Sequence, residues 1–301
     1  MHVRTRRLAL TEGVCAGTLF GTASIFIRFM QDIDTFYIAF WRLIIACAVL
    51  IVILIAVRKA SSLSVVKSNF KTLLLLGVFL GLHFIFFVSA VKDTTILNAT
   101  VLVNTTPLFS MIVSSFLFKI KPSRLAIIGL AIAFAGICVI GYAESTTSSS
   151  DASLTRVPTL KGDLEAVLAA VVEAFYLNLG RKTRKDMPLL SAMLPIYLFS
   201  AIVIGIISFP AGGKISTIHT EYSVLLPLIG LGTLPTAMAH TLYFSSLSNL
   251  KSFETAAMAL LEPIGATILG IAIFSETPAF LFVLGASLIL VGLVFVAKKE
   301  A

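Results

Sequence analysis

Ten apolar stretches follow one another along the chain, separated by short polar or charged segments. Each is about 20 residues long, which at a helical rise of about 1.5 Å per residue crosses a bilayer core of roughly 30 Å. The pattern therefore predicts an all-α integral membrane protein with ten transmembrane helices. The predicted spans are residues 9–30, 34–57, 72–91, 95–118, 123–142, 160–180, 188–209, 222–247, 252–274 and 278–297.

Helix-breaking residues of the first half return in the second half at a constant offset of 156 positions. An offset of 157 pairs His83 with His240. Matched proline and glycine positions at one spacing indicate a duplicated unit. The pairs at the offset of 156 are Pro107 with Pro263, Pro122 with Pro278, Gly129 with Gly285, Gly136 with Gly292 and Phe118 with Phe274.

Each predicted unit contains five spans, an odd number, so the second unit enters the membrane in the opposite orientation. Inverted repeats of this kind can exchange conformations and so support alternating access to a central site. A segment rich in serine and threonine, typical of a flexible linker, joins the two units. We predict a first five-helix repeat over 9–142, a flexible external linker over 143–159 and a second five-helix repeat over 160–297.

Composition and charge placement agree with a membrane protein. Of the 301 residues 58% are hydrophobic and 13% charged, which is more apolar surface than one soluble core can bury. The net charge is +8, and 17 of the 23 basic residues fall on one side of the predicted topology. The positive-inside rule therefore predicts a multi-pass plasma-membrane protein with both termini cytoplasmic. This placement favours contacts with anionic membrane lipids and argues against nucleic-acid binding.

Catalytic chemistry has little support in the sequence. No HExxH or Gly-x-Ser-x-Gly pattern occurs, and the three cysteines lack the spacing of a metal site. We therefore predict that the chain is not an enzyme and has no cofactor and no metal site. All six aspartates lie in loops or at span ends: Asp32, Asp34, Asp93, Asp151, Asp163 and Asp186.

Several sequence features together resemble the EamA-type families of the drug/metabolite transporter superfamily. They are the arginine of Phe40-Trp41-Arg42 in the second span, a proline in spans four and nine, and the stretch 273–278 (IFSETP) followed by Gly285 and Gly292. A Gly-Glu pair is commoner in that family than the Ser-Glu pair found here. The resemblance covers about residues 9–297. It implies ten helices, a cavity lined chiefly by spans three, four, eight and nine, and export or exchange of small organic solutes.

Two glutamates lie deep within spans, where an unsatisfied charge costs a few kcal/mol. Glu173 is in the middle of span six, with Tyr176 one turn further on. Glu262 precedes the helix-breaking Pro263 in span nine. Either glutamate can bind substrate or carry a proton. The alternative, kept open for Glu262, is a structural carboxylate bonded to a nearby hydroxyl or to backbone groups near the proline.

The repeat-related His83 and His240 lie in spans three and eight, next to the cavity that the resemblance implies, and Tyr243 follows His240 by one turn. Histidine can bind a solute and titrate near neutral pH. In span four, Pro107 leaves a backbone carbonyl without its usual donor, and Asn104 lies beside it. We predict substrate binding by His83, Asn104, Glu173, Tyr176, His240, Tyr243 and Glu262.

Arg42 and Trp41 are predicted to be structural polar residues, with Trp41 an interfacial anchor and Arg42 held by a salt bridge or carbonyl contacts. A substrate carboxylate is the alternative partner for Arg42. Glycines seven residues apart in spans five and ten permit close helix packing, either within the monomer or in a homo-oligomer.

These features predict a secondary transporter that exports or exchanges a small organic metabolite by alternating access, with an amino acid favoured as the substrate. Protons are the candidate coupling ion, through His83, His240 and Glu173. Two alternatives remain open at this point. One is a multidrug or cation exporter of the same fold, and the other is a membrane enzyme or scaffold that transports nothing.

Overall fold

The chain folds as a bundle of helices in the computed structural model, which describes residues 5–57, 63–147, 159–216, 219, 221–274 and 280–298. No strand occurs within these ranges. A π-helical segment, Gly232–His240, joins α10 to α11, and a 3-10 turn, Ala259–Leu261, joins α12 to α13. The α-helices are α1 Arg6–Arg28, α2 Thr35–Ala56, α3 Leu63–Ser68, α4 Phe70–Asp93, α5 Ile96–Val103, α6 Thr106–Phe116, α7 Arg124–Thr147, α8 Leu160–Asp186, α9 Leu189–Ser208, α10 Tyr222–Leu231, α11 Thr241–Ser246, α12 Ser252–Met258, α13 Glu262–Phe274 and α14 Phe280–Ala297.

Eight helical stretches in the described part of the chain are long and apolar enough to cross a membrane. The prediction of an all-α membrane protein is confirmed. The other two predicted spans are helical as well. The first, 160–180, lies in α8, which has charged residues near both ends, and the second, 252–274, is interrupted by the 3-10 turn. The number of ten spans, like the repeat layout, stays a prediction.

The structure describes only part of the predicted linker, residues 143–159. Helix α7 continues to Thr147, so the first residues of the predicted segment 143–159 are helical. Residues 148–158 lie outside the described ranges, as do residues 275–279 of the family-like ending.

The first helix of each predicted half packs against helices of the other half. Helix α1 contacts α11, α13 and the π-helical segment, whereas α8 contacts α4, α5 and α6. In the same way α2 packs on the π-helical segment and α9 on α4. The two halves are therefore interleaved rather than placed side by side.

Helices α7 and α14 cross in close contact along their glycines. A Cβ atom added at Gly129 would lie 2.5 Å from the carbonyl oxygen of Gly292, and one at Gly136 would lie 2.6 Å from that of Gly285. An early residue of α7 meets a late residue of α14, so the helices run antiparallel. The glycines that the sequence left open to monomer or dimer packing lie against each other within one chain.

Charged side chains link several helices at the end of the bundle that holds the N-terminus. The guanidinium of Arg6 donates to both carboxylate oxygens of Glu254, at 3.0 and 2.9 Å, and to the carbonyl of Ala297 at 3.1 Å. Lys251 donates to the carbonyl of Lys121 at 3.3 Å. Residues from α1, α12, the end of α14 and two loops thus come together at the end of the bundle that is predicted to face the cytoplasm.

The opposite end is linked by a second polar cluster. Lys161 pairs with Asp93 at 2.6 Å, and the hydroxyl of Thr94 donates to Asp163 at 2.8 Å. The Asn98 amide also donates to Asp163, at 3.2 Å. These contacts attach the start of α8 to the end of α4 and the start of α5. The cavity described next lies between the two linked ends.

Candidate functional site

A narrow cavity of about 30 Å³, partly open to the outside, lies at the centre of the bundle. Helices of both predicted halves form its wall. Five of the seven predicted substrate-binding residues line it, together with Arg42. The lining residues are Phe20, Ala23, Arg42, His83, Phe84, Phe87, Val103, Asn104, Thr106, Glu173, His240, Ala259 and Glu262.

Glu173 and His83 form a buried pair that connects α8 to α4. Nδ1 of His83 lies 3.6 Å from Oε2 of Glu173 and 3.1 Å from the carbonyl oxygen of Ala169. Because a carbonyl only accepts, we assign the proton of the neutral His83 ring to Nδ1, which leaves Nε2 as an acceptor. At 3.6 Å the two groups are in ion-pair contact but beyond hydrogen-bond distance.

The break between α5 and α6 is built by Pro107, Thr106 and Asn104. Pro107 has no N–H for the carbonyl of Val103, four residues earlier. The hydroxyl of Thr106 donates to that carbonyl at 2.7 Å, and the same oxygen lies 3.4 Å from Glu173. Asn104 donates its amide to the Thr100 carbonyl at 2.8 Å. The chain therefore breaks at Pro107 as predicted, and the Thr106 hydroxyl donates to the carbonyl that the proline leaves without its usual donor.

A second break, between α12 and α13, places Glu262 at the cavity. The 3-10 turn ends at Leu261, and Glu262 and Pro263 open α13. The Glu262 side chain is buried, and among the described residues its Oε1 has no hydrogen-bond partner. A buried carboxylate oxygen of this kind is available to a ligand or a proton.

His240 ends the π-helical segment and is enclosed by aromatic rings. Its ring centroid lies 4.7 Å from that of Phe20, 4.9 Å from Phe84 and 6.0 Å from His83. Nδ1 of His240 is buried and has no hydrogen-bond partner in the part of the chain that the structure describes. The two repeat-related histidines thus meet across the cavity.

The side chain of Arg42, a residue of α2, is fully buried and contacts Thr236 and Phe84. Nε donates to the hydroxyl of Thr236 at 2.9 Å, and the guanidinium carbon lies 4.0 Å from the Phe84 ring centroid. The Thr236 hydroxyl itself donates at 2.6 Å to the carbonyl of Leu231, which Pro235 leaves without its usual donor. Nη1 of Arg42 has no partner among the described residues.

Trp41, Tyr176 and Tyr243 lie away from the cavity wall. The indole of Trp41 donates to the carbonyl of Ile215 at 3.0 Å, which ties α2 to the loop after α9. Tyr176 packs against Phe244 in the core, with its hydroxyl 3.9 Å from the sulfur of Met193.

Tyr243 lies directly behind the wall. Its ring meets that of Phe20 at 5.1 Å, and its buried hydroxyl has no partner within the described ranges.

Sequence reasoning passed over Thr106 and Asn178. The repeat offset pairs Thr106 with Glu262, and this pairing was the available signal. Asn178 donates its amide to the Ser110 carbonyl and hydroxyl, both at 3.1 Å, and accepts from the Ser252 hydroxyl at 2.6 Å. It joins α6, α8 and α12 next to the Glu173 site, and an asparagine alone in an apolar run carries no spacing that would single it out.

A multi-pass helical bundle with a central polar cavity drawn from both halves is the architecture of a membrane transporter. The chain belongs to the EamA-like transporter family, whose family model matches residues 8–142 and again residues 160–298. The predicted resemblance and the predicted class of protein are confirmed. The chain is a multi-pass membrane transporter of this type.

Several relatives with transporter or solute-carrier names match nearly the whole chain. An uncharacterised transporter of Archaeoglobus fulgidus is 26% identical over 298 residues, which is 97% of this chain and 96% of that protein. The uncharacterised transporter YyaM of Bacillus subtilis is 23% identical and covers 97% of this chain and 92% of its own length. Solute carrier family 35 member G1 of Mus musculus is 26% identical, with 94% of this chain and 76% of that protein covered.

A solved crystal structure has the same fold. It superposes with a TM-score of 0.79 at 18% sequence identity, covering 97% of this chain and 96% of the other. At this identity the likeness concerns the fold alone.

Proposed function

We propose that the chain is a secondary transporter of the plasma membrane, with both termini cytoplasmic. It moves a small organic metabolite, with an amino acid favoured, by export or exchange through alternating access. The observation that carries this proposal is the central cavity, where buried groups of both signs, Glu173, Glu262 and Arg42, lie beside two histidines. The proposal includes no enzymatic activity, because it assigns the polar groups of the cavity to holding a solute or a proton.

Alternating access is supported by the way the halves interleave. Helix α1 packs on the second predicted half, and α8 packs on the first. A rotation of either half therefore moves one wall of the cavity together with the first helix of the other half. The antiparallel contact of α7 with α14 supplies a fixed seam between the halves. An inverted duplication predicts this exchange of equivalent contacts.

An amphipathic zwitterion matches the cavity better than a sugar phosphate or a purely apolar solute. Carboxylates at Glu173 and Glu262 suit an ammonium group, and the aromatic rings of Phe20, Phe84 and Phe87 suit an apolar side chain. A phosphate group would need several cationic partners, whereas Arg42 is the one arginine or lysine in the described cavity wall.

Proton coupling is part of the proposal and rests on the Glu173–His83 pair. Both side chains are buried, and their polar atoms lie 3.6 Å apart. A solute ammonium that approaches Glu173 competes with a proton for the same carboxylate. Competition of this kind is sufficient to couple the inward movement of protons to the outward movement of solute.

Flux into proteoliposomes tests the proposal. The purified protein is reconstituted, and uptake or counterflow of each labelled amino acid is measured with and without a proton gradient. We expect flux of at least one amino acid, and loss of its proton-gradient-driven accumulation, but not of its counterflow, in the Glu173→Gln variant. Glu221→Gln is the matched control, because Glu221 is an exposed carboxylate outside the cavity. No flux of any amino acid would remove the substrate assignment.

A multidrug or cation exporter is the second candidate, favoured by the two buried glutamates and the aromatic wall. Arg42 argues against it, because a buried guanidinium in the same cavity repels a lipophilic cation. Cells that express the protein should therefore gain no resistance to such cations. Resistance that is lost in both Glu173→Gln and Glu262→Gln would establish this alternative instead.

A further inference from the structure

We infer that Arg42 and His240 form an anion subsite that holds a carboxylate group of the transported solute. The inference rests on the proposed transport function and adds to it the chemical class of the substrate, a carboxylic acid or zwitterion. Glu173 and Glu262 then serve the cationic part of the solute, and Arg42 and His240 serve its anionic part.

Arg42 is a buried cation without an anion. Its side chain is 1% exposed, and in the described ranges no carboxylate pairs with its guanidinium. The ring of Phe84, 4.0 Å from the guanidinium carbon, stabilises the positive charge without consuming any of its N–H groups. A charge held in this way at membrane depth is costly unless an anion joins it.

The guanidinium is held so that part of its hydrogen-bonding edge is left unused. Thr236 accepts from Nε, and the backbone carbonyl of Thr236 accepts from the Tyr197 hydroxyl at 2.7 Å, which fixes the π-helical segment beside Arg42. Arg42 belongs to the cavity wall, and its buried Nη1 has no partner among the described residues. Arginine binds carboxylates through N–H groups of this kind, often two at a time.

A purely structural role accounts for Nε and leaves Nη1 unexplained. If Arg42 served only to join α2 to the π-helical segment, the Thr236 bond would suffice, and a neutral donor would do the same without burying a charge. Buried polar atoms in native proteins are satisfied, so an orphan N–H that borders a cavity indicates a missing ligand.

His240 supplies the second hydrogen-bond donor, and its ring packs on the same aromatic side chain as Arg42. Its ring stands perpendicular to Phe84 with the centroids 4.9 Å apart, and Arg42 stacks on Phe84 as well. Nδ1 of His240 is the other orphan nitrogen of the cavity wall in the described chain. A neutral imidazole with its proton on this nitrogen donates one hydrogen bond to a carboxylate that Arg42 binds.

The first experiment compares ligands that differ only in the carboxylate. The thermal stability of the purified wild-type protein is measured with the twenty amino acids, with their amides, and with the amines that lack the carboxyl group. We expect stabilisation by at least one amino acid and none by its amide or amine at equal concentration. Equal stabilisation by an amide or amine, or none by any amino acid, would overturn the inference.

The second experiment locates the subsite. We expect Arg42→Gln to weaken binding of that amino acid about 30-fold or more, since a charged partner is lost. His240→Gln is expected to weaken it about fivefold. The preference for the acid over its amide should fall to nearly one in Arg42→Gln, which a loss of packing alone does not produce. Arg181→Gln is the control, because Arg181 is a half-buried arginine bonded to the Leu250 carbonyl away from the cavity.

Failure of a variant to fold and failure of the transport proposal can each be distinguished from failure of the anion subsite. If Arg42→Gln does not fold, Arg42→Lys keeps the charge but loses the planar donors, and the affinity for the amino acid is measured on it and on His240→Gln. An unchanged affinity in both folded variants would contradict the subsite. If flux occurs but only for solutes without a carboxylate, the subsite is wrong and the transport function stands.

Discussion

The imidazole rings of His83 and His240 lie 6.0 Å apart and meet edge to face at an interplanar angle of 70°. The first belongs to α4 and the second ends the π-helical segment, so each predicted half contributes one ring. Their surroundings differ: Nδ1 of His83 is bonded to the Ala169 carbonyl at 3.1 Å, whereas Nδ1 of His240 has no partner in the described chain. The predicted repeat relates the two histidines, and their different hydrogen bonding agrees with the separate tasks that we propose, proton handling for His83 and ligand binding for His240.

Replacement of Glu173 by glutamine should separate solute exchange from proton-driven transport. The amide of Glu173→Gln still accepts a hydrogen bond from a solute but cannot bind and release a proton. We expect counterflow to persist while accumulation driven by a proton gradient falls to the background level. Both are measured in proteoliposomes at several pH values. Glu221→Gln should retain both activities, and gradient-driven accumulation by Glu173→Gln would contradict the assignment.

Replacement of Gly129 by alanine should destabilise the α7–α14 seam. The added Cβ would lie 2.5 Å from the Gly292 carbonyl oxygen and 2.7 Å from the Phe295 side chain, so the helices must separate. Overpacking of this kind costs about 1–3 kcal/mol. The unfolding temperature in detergent should fall.

Gly205→Ala is the matched control for that substitution. Its new Cβ would meet nothing closer than 3.8 Å, so it should leave the unfolding temperature unchanged or raise it. Equal effects of the two substitutions would show that close packing is not what Gly129 provides.

Loss of the Arg6–Glu254 pair should open the end of the bundle that holds the N-terminus. Arg6 binds both carboxylate oxygens of Glu254 and the Ala297 carbonyl, which connects α1, α12 and α14. In a protein with its native cysteines replaced, Ser252→Cys places a thiol at a fully buried position next to this pair. A maleimide should label that thiol several-fold faster when Arg6 is changed to glutamine.

The matched substitution for the Arg6 experiment is Lys161→Gln, which breaks the exposed ion pair with Asp93 at the opposite end. It should leave the labelling rate at position 252 unchanged. Faster labelling in Lys161→Gln, or no change in Arg6→Gln, would mean that the Arg6–Glu254 pair does not hold this end closed.

Thr106→Val should destabilise the protein, because it removes the hydroxyl that satisfies the Val103 carbonyl above Pro107. An unsatisfied buried carbonyl costs about 1–3 kcal/mol. The exposed Thr11 also donates to a helix carbonyl, and Thr11→Val should have little effect because water or lipid headgroups can replace it. Equal unfolding temperatures for the two variants would show that the Val103 carbonyl needs no side-chain donor.

Much of the fold is predictable from the sequence because the hydrophobic lengths and the proline and glycine positions are local signals. The breaks near Pro107 and Pro263, and the glycines of α7 and α14, lie where the sequence predicts interruption and close packing. Arg42 shows what cannot be predicted. Its partners, Thr236 and Phe84, come from distant segments, and only the folded chain reveals that Phe84 stabilises its charge while Nη1 remains unused.

The candidate site also contains residues whose surroundings cannot be predicted from the sequence. Tyr176 lies one turn from Glu173 on the same helical face, yet it packs into the core because α9 and α11 cover it. Asn178 was missed for the opposite reason: its importance arises from hydrogen bonds to two residues on other helices, Ser110 and Ser252, which no spacing along α8 encodes.

The interleaving of α1 with the second half has a consequence for the order in which the chain matures. Helix α1 is synthesised long before α11 and α13, the helices it packs against. Its small-residue face, with Gly13, Gly17 and Gly21, stays without its final partners until those later helices are made. Helix α8 has no such delay, because α4, α5 and α6 precede it. Helix α8 therefore assembles onto helices that already exist, whereas α1 obtains its partners only when α11, α12 and α13 follow.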